Sequence, residues 1–151
     1  MEFSPQQVTK GIRNPARKPM RVPVIDDDDC IAAAIRTILG HRDCETVHES
    51  RAYAGINTLT QSAFDLVMVD LFLPGLSGLE AIRYIRRDSR IPIIAMSGFR
   101  LRSSVESMDY LGMAALRGAT LCLRKPFKSA ELIEAIGLAD SLRFPRETSL
   151  S

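Results

Sequence analysis

Residues 65–80 read DLVMVDLFLPGLSGLE, and this stretch is the clearest indication of the fold in the sequence. Residues 66–69 are four consecutive apolar residues that end at Asp70, and a turn containing proline and glycine follows. Beyond the turn, apolar side chains recur at helical spacing, at Leu79, Ile82 and Ile85. An apolar run without alternating polarity suits a strand that is covered on both faces, as in a parallel sheet.

The order of strand, polar turn and helix recurs along the chain. Apolar runs at 22–25, 91–96 and 121–123 predict three further strands, and a weaker signal indicates a possible strand at 45–48. Helices are predicted at 31–39, 51–61 and 103–117, and a last helix carries Leu132, Ile133 and Ile136. Five strand-helix repeats predict an α/β fold, a doubly wound five-stranded parallel sheet with helices on both faces.

Length and composition fit one ordinary globular domain. The chain has 151 residues, of which 46% are hydrophobic and 25% are charged. No apolar run approaches the roughly 18–20 residues needed to cross a bilayer, and the first residues lack the apolar stretch of a secretory signal. Three widely spaced cysteines, Cys30, Cys44 and Cys122, favour a reduced, cytoplasmic setting over a disulfide framework or a metal cluster.

The domain organisation follows from where the apolar pattern starts and stops. Residues 1–20 contain proline, glycine and basic residues without periodicity, so we predict a flexible basic N-terminal extension. The domain itself is predicted over residues 21–143, and residues 144–151 are predicted to be a C-terminal tail. Too few residues follow the last helix to form an output domain, so we expect a stand-alone protein.

The residues that end the apolar runs are the candidates for chemistry. They are the four aspartates Asp26 to Asp29, then Asp70, Ser97 and Lys125. The carboxyl ends of parallel strands meet at one edge of the sheet, where such folds bind their ligands. Carboxylates gathered there would repel each other unless a hard divalent cation such as Mg²⁺ bound them. One carboxylate could act as a nucleophile toward phosphorus, and a lysine and a hydroxyl could stabilise the phosphoryl oxygens.

Each of these residues also has a purely structural interpretation. Asp28 and Asp29 could cap the following helix and favour its positive end. A single aspartate after a strand is commonly a turn residue, and Ser-Gly or Lys-Pro alone indicates only a loop. Placement at the ends of four strands favours a site, and the strand register favours Asp26 with Asp27 over Asp27 with Asp28 as the metal pair.

Four segments together resemble the response-regulator receiver family over roughly residues 21–143. They are VIDD at 24–27 with IRTIL at 35–39, DLVMVDLFLPG through SGLE at 65–80, PIIAMSG at 92–98, and LRKPF at 123–127. The resemblance implies the flavodoxin-like receiver fold and a chemotaxis-regulator-like, two-component signalling protein.

The resemblance also implies a role for each residue of the site. Asp26, Asp27 and Asp70 would bind Mg²⁺ or Mn²⁺ with the main-chain carbonyl of Phe72. Asp70 would be the phosphoacceptor, and Ser97 and Lys125 would bind the phosphoryl group. The peptide bond between Lys125 and Pro126 would be cis.

By the same resemblance, the phosphoryl donor would be a sensor histidine kinase or a histidine phosphotransfer protein. The protein would be a phosphorelay switch rather than an enzyme with an independent substrate. Phosphorylation would change the affinity for a downstream protein through the face of the fourth helix, fifth strand and fifth helix. Relay of the phosphoryl group to another histidine is equally open, and a homodimer through the same face is possible. Neither nucleic acid nor a membrane is expected as a partner.

Three features depart from the family pattern. Cys122 stands where the family often has an aromatic residue, three residues before the lysine. The stretch from Ser97 to Lys125 is several residues longer than in minimal receivers, with the extra length around 100–110, so the fourth-helix region is predicted to be altered. Phe72 and Phe99 are apolar where polar side chains can help to place a hydrolytic water, which predicts slow loss of the phosphoryl group.

Two rival functions come from other classes. A metal-dependent phosphatase could form an aspartyl phosphate on a similar sheet, but that mechanism usually has a second acid where this chain has Phe72. A scaffold could use the basic residues of the N-terminal extension to contact nucleic acid or an anionic membrane. Scattered cations are more often a solvated tail.

Overall fold

The computed structural model describes residues 18–98 and 112–143. Its strands are β1 (Met20–Ile25), β2 (Cys44–Glu49), β3 (Val67–Asp70), β4 (Ile93–Ser97) and β5 (Leu121–Arg124). Its helices are α1 (Asp29–Gly40), α2 (Ala52–Gln61), α3 (Gly78–Asp88), α4 (112–117) and α5 (Ser129–Arg143). The predicted N-terminal extension up to residue 17, the C-terminal tail, Phe99 and the long segment at 100–110 lie outside the described residues.

All neighbouring strands are parallel, and their order across the sheet is β2-β1-β3-β4-β5. The predicted doubly wound α/β fold is therefore confirmed. Every residue of β3 and β4 is buried, as expected from their unbroken apolar runs. Strand β4 begins two residues later than predicted, at Ile93, because Pro92 has no N–H to donate to a neighbouring strand.

The helices cover the two faces of the sheet with separate hydrophobic cores. On one face Ile35 and Leu39 of α1 pack with Leu132 and Ile136 of α5. On the other face Ile82 of α3 belongs to a cluster that also contains residues of α2 and α4. No helix in the described ranges is both long and apolar enough to cross a membrane.

Arg86 joins three segments at the amino edge of the sheet. Its guanidinium donates to the carbonyl oxygens of Ile91 (2.5 Å) and Gly118 (2.8 Å) and to the Thr120 hydroxyl (3.2 Å). Burial lowers the pKa of this arginine. The contacts connect the end of α3 with the segments that lead into β4 and β5. These contacts of Arg86 were not predicted from the sequence, since an arginine in the last turn of a helix is ordinarily explained by a favourable interaction with the helix dipole.

Gly78, the first residue of α3, permits a close approach to the end of β3. A Cβ atom at this position would press against the carbonyl oxygen of Asp70 and would lie 2.5 Å from the Cα atom of Leu71. The backbone N–H of Gly78 donates to the carbonyl of Leu71 at 3.2 Å. The absence of a side chain therefore lets α3 start directly beneath the loop that carries Asp70.

We expect Gly78→Ala to destabilise the protein by about 1–3 kcal/mol, because the added methyl group meets backbone atoms that cannot move independently. Gly137→Ala is the matched control, since nothing lies within 4 Å of a Cβ built there. Within α5 that change should instead stabilise the protein, by about 0.5–1 kcal/mol. Urea unfolding of both variants measures the effects, and equal changes would contradict the close approach.

Candidate functional site

The predicted site residues meet at the carboxyl edge of the sheet. Asp26 directly follows β1, Asp70 ends β3, Ser97 ends β4 and Lys125 directly follows β5. These strands are neighbours in the sheet, so their ends lie side by side. Asp26 and Ser97 are almost completely buried, and Asp70 is 5% exposed. Three buried polar side chains and the partly buried Lys125 thus come together at four adjacent strand ends, which is not expected of four separate turns.

Three carboxylates at this edge are close enough to share a cation. Asp26, Asp27 and Asp70 each offer an oxygen, and these oxygens lie within 4.8 Å of one another. The Oδ1 atom of Asp27 is buried, and it has no hydrogen-bond partner among the described residues. A buried carboxylate oxygen without a partner fits a ligand for a hard divalent cation.

Lys125 brings an ammonium group to the same carboxylates. Its Nζ atom lies 2.5 Å from Oδ2 of Asp26 and 3.4 Å from Oδ2 of Asp70. The backbone N–H of Lys125 donates to the carbonyl of Ser97 at 2.7 Å, which continues the pairing of β4 and β5. The bond between Lys125 and Pro126 is cis, as predicted. One ammonium against three carboxylates leaves an excess of negative charge that a divalent cation can balance.

The surroundings of Asp70 favour its protonated form. Burial raises the pKa of this carboxyl, and the negative charge of Asp26 raises it further. The ammonium of Lys125 and the N–H of Phe72, which donates to Oδ1 at 3.1 Å, act in the opposite direction. The net effect is a raised pKa, so the free carboxylate is held at an energetic cost that a bound cation would reduce.

The structure separates the roles of the four consecutive aspartates. Oδ1 of Asp28 accepts hydrogen bonds from the N–H groups of Cys30 (2.9 Å) and Ile31 (3.2 Å), and so caps α1. Asp29 lies in the first turn of that helix, where a negative charge is favourable. Asp26 and Asp27, by contrast, lie with Asp70. The capping interpretation therefore applies to Asp28.

Two further residues, His48 and Phe72, lie at the site. The Nε2 atom of His48, near the end of β2, lies 2.7 Å from the main-chain oxygen of Asp26 and holds the backbone there. This contact was not predicted, because His48 lies in the weakest of the strand patterns. Phe72 lines a crevice of about 360 Å³ together with Asp70 and Lys125. The crevice gives an incoming group access to Asp70.

Comparison with known proteins agrees with this geometry. Residues 22–137 match the family model of the response regulator receiver domain. The chain is 29% identical over 142 residues to the sensor protein GacS of Pseudomonas syringae pv. syringae, covering 89% of this chain and 15% of that protein. It is also 29% identical over 117 residues to the DNA-binding response regulator MtrA of Mycobacterium leprae, covering 77% of this chain and 49% of that one. The chain thus spans about half or less of the length of these curated relatives.

Solved structures share the fold. A CheY-like receiver domain protein from Methanospirillum hungatei superimposes with a TM-score of 0.72 at 22% identity, covering 83% of this chain and 96% of that one. A receiver domain protein from Clostridium thermocellum gives 0.73 at 26% identity, with coverages of 82% and 96%. Receiver domains are generally signalling switches that bind Mg²⁺ through acidic residues. The chain belongs to the response regulator receiver family of two-component signalling systems.

Proposed function

We propose that this receiver accepts a phosphoryl group on the carboxylate of Asp70 from a phosphohistidine donor. Asp26, Asp27 and Asp70 would hold Mg²⁺ or Mn²⁺, together with the main-chain carbonyl of Phe72. The observation that carries the proposal is the convergence of three carboxylate oxygens within 4.8 Å of one another, with Lys125 3.4 Å from Asp70. A carboxylate nucleophile, with an ammonium group and a bound cation beside it to balance the charge of the phosphoryl oxygens, is what phosphoryl transfer to a carboxylate requires.

In the proposed reaction an oxygen of Asp70 forms a bond to phosphorus while the phosphorus–nitrogen bond of the donor histidine breaks. The departing imidazole keeps the electron pair of that bond. Lys125 would donate hydrogen bonds to the phosphoryl oxygens, and Ser97, at the neighbouring strand end, would add its hydroxyl. A bound divalent cation would add positive charge against the same oxygens. Asp70 therefore supplies the nucleophilic oxygen, and the rest of the site contributes position and charge.

The consequence of phosphorylation would be a shift between two conformations that changes binding to another protein. The face formed by α4, β5 and α5 is the proposed contact surface. Exposed apolar side chains occur on these elements: Leu116 of α4 is 90% exposed, and Leu138 and Leu142 of α5 are 49% and 58% exposed. Cys122 of β5 is also exposed, in place of the aromatic residue that the family often has. The proposed donor is a sensor kinase or a phosphotransfer protein. Onward relay of the phosphoryl group is the alternative to the switch, and two copies would pair through the same face.

The first test measures intact mass after incubation with acetyl phosphate, with and without Mg²⁺. We expect a gain of one phosphoryl group that needs Mg²⁺ and is lost in Asp70→Asn, because this change removes the nucleophilic oxygen. Asp29→Asn serves as the control, since it removes a nearby charge outside the cluster. An adduct that persists in Asp70→Asn would contradict the assignment. A protein that binds Mg²⁺ but gains no mass would point to a phosphorylation-independent scaffold. Continuous turnover of phosphate esters would point to a phosphatase.

A second prediction concerns stability without metal at neutral pH, where Asp70→Asn should raise the free energy of unfolding. The raised pKa means that the folded state holds the Asp70 proton more tightly than the unfolded state does. Stability is therefore lost as the pH rises from the ordinary aspartate pKa, about 3.9, through the raised one, and the loss is complete above it. The gain in the variant should shrink as the pH falls through this range.

Saturating Mg²⁺ should reverse the order of the two proteins. At a concentration one hundred times its Kd, a cation stabilises the folded state by about 2.7 kcal/mol. The variant has lost one ligand and should gain less. Thermal unfolding over a pH series, with EDTA and then with Mg²⁺, measures both effects. Equal stabilisation of the two proteins by Mg²⁺ would show that Asp70 is not a ligand.

A third prediction concerns the lifetime of the phosphorylated protein. Phe72 lines the crevice beside Asp70, so an apolar side chain lies where a polar one could hold a water. We expect slow spontaneous loss of the phosphoryl group and a several-fold faster loss in Phe72→Asn, while Phe72→Leu should resemble the unchanged protein. The decay of phosphorylated mass after removal of the donor gives the rates. Rapid loss from the unchanged protein would contradict this role of Phe72.

A further inference from the structure

Four arginines converge at the amino edge of the sheet, away from the aspartate cluster. Arg83, Arg86 and Arg87 of α3 and Arg117 of α4 line an open pocket of about 470 Å³, here called the arginine groove. Within the described residues no other side chain lines it. Two helices thus direct guanidinium groups toward one volume, and Arg86 also contacts the segments that precede β4 and β5.

The charge of the groove is only partly balanced. Glu80 accepts a hydrogen bond from Arg117 at 2.7 Å and lies 3.9 Å from a nitrogen of Arg83. Among the described residues, four guanidinium groups line the pocket and Glu80 pairs with two of them, so positive charge is in excess along the lining. Repulsion among the guanidinium groups costs free energy that a bound anion would recover.

The arginines differ in how many donors they keep for a ligand. The guanidinium of Arg86 donates its hydrogen bonds to backbone carbonyls and to Thr120, so this residue holds the groove in place rather than binding a ligand. Arg83 is 69% exposed along its side chain. Arg87 makes no hydrogen bond within the part of the chain that the structure describes, and its guanidinium lies 5.9 Å from the ring centroid of Tyr84. Arg83 and Arg87 therefore keep donors free for a ligand, and Arg117 keeps those that Glu80 does not use.

A favourable interaction with the helix dipole accounts for only part of this arrangement. Arg86 and Arg87 lie in the last turn of α3, where positive charge complements the carbonyl end of the helix. Arg83 lies one turn earlier, and Arg117 belongs to a different helix. Their convergence on the same pocket is what indicates a ligand.

We propose that the arginine groove binds the condensed phosphate group of a small anion, such as a triphosphate. Guanidinium forks make paired hydrogen bonds to phosphate oxygens, and the tetrahedral phosphate accepts them from several directions. A triphosphate carries several negative charges and is small enough to enter the groove. The anion could be inorganic or the phosphate chain of a nucleotide. The groove would then give this receiver a small-molecule input that is separate from Asp70.

The test is calorimetric titration of the whole chain with sodium triphosphate at low salt, in EDTA so that the aspartate cluster holds no cation. Arg83→Gln, Arg87→Gln and Arg117→Gln should each weaken binding by about tenfold, the effect of losing one charged hydrogen-bonding pair. Glu80→Gln should tighten binding. The charge-matched control is Arg36→Gln, an exposed residue of α1 on the other face of the sheet, which should leave the affinity unchanged.

ATP in the same titration distinguishes the sources of the anion. An affinity equal to that of triphosphate would support recognition of the phosphate chain alone, and tighter binding would support a nucleotide as its carrier. Binding of ATP with no response to triphosphate would overturn the proposal, as would an equal loss in Arg36→Gln. Absence of saturable binding would also overturn it. A short DNA duplex that binds through Arg83 and Arg87 while triphosphate does not would assign the groove to nucleic acid instead. A circular dichroism spectrum like that of the unchanged protein shows that each variant is folded, whether or not Asp70 accepts a phosphoryl group.

Discussion

The carboxylates of Asp26, Asp27 and Asp70 are held within 4.8 Å of one another, and this repulsive arrangement constrains the rest of the site. The charges cannot separate, because β1 and β3 are fixed by the burial of the sheet between two layers of helices. Lys125 supplies an ammonium group that contacts two of these carboxylates. Burial and the charge of Asp26 raise the pKa of Asp70. The folded sheet therefore holds its acids in a state that a cation would stabilise, and the proposed role of Asp70 as a metal-assisted phosphoacceptor rests on this.

The two edges of the sheet carry opposite charge and serve different purposes. At the carboxyl edge the strands end at or next to aspartates and a lysine. The close approach of Gly78 keeps the loop after Asp70 compact. At the amino edge Arg86 satisfies carbonyl groups of the segments that enter β4 and β5. The same helix, α3, thus starts beneath the aspartate loop and ends in the arginine groove.

Prediction from the sequence succeeded where burial is complete and weakened where it is partial. Strands β3 and β4 are buried on both faces, so their apolar runs are unbroken and identify them clearly as strands of a parallel sheet. Strand β2 lies at an edge of the sheet and alternates between half-buried and exposed residues, which explains its weaker pattern and the unpredicted contact of His48. The choice among four identical aspartates was left open for a related reason. Residue type is the same at each position, and only the backbone path after β1 turns Asp28 to cap α1 while Asp27 remains with the cluster.

By itself, the sequence determined the alternation of strands and helices, the family and the edge at which Asp26, Asp70, Ser97 and Lys125 would meet. The alternation and the shared edge follow from local periodicity and from the rule that parallel strands end at one edge, and the family follows from the resemblance of four motifs. Only the tertiary structure decided which atoms touch. Lys125 reaches Asp26 across 99 positions of sequence, and Arg86 reaches Thr120 across 34. Periodicity records how deeply a side chain is buried but carries no information about its partner, because the partner is set by the order of strands in the sheet and the packing of helices upon it.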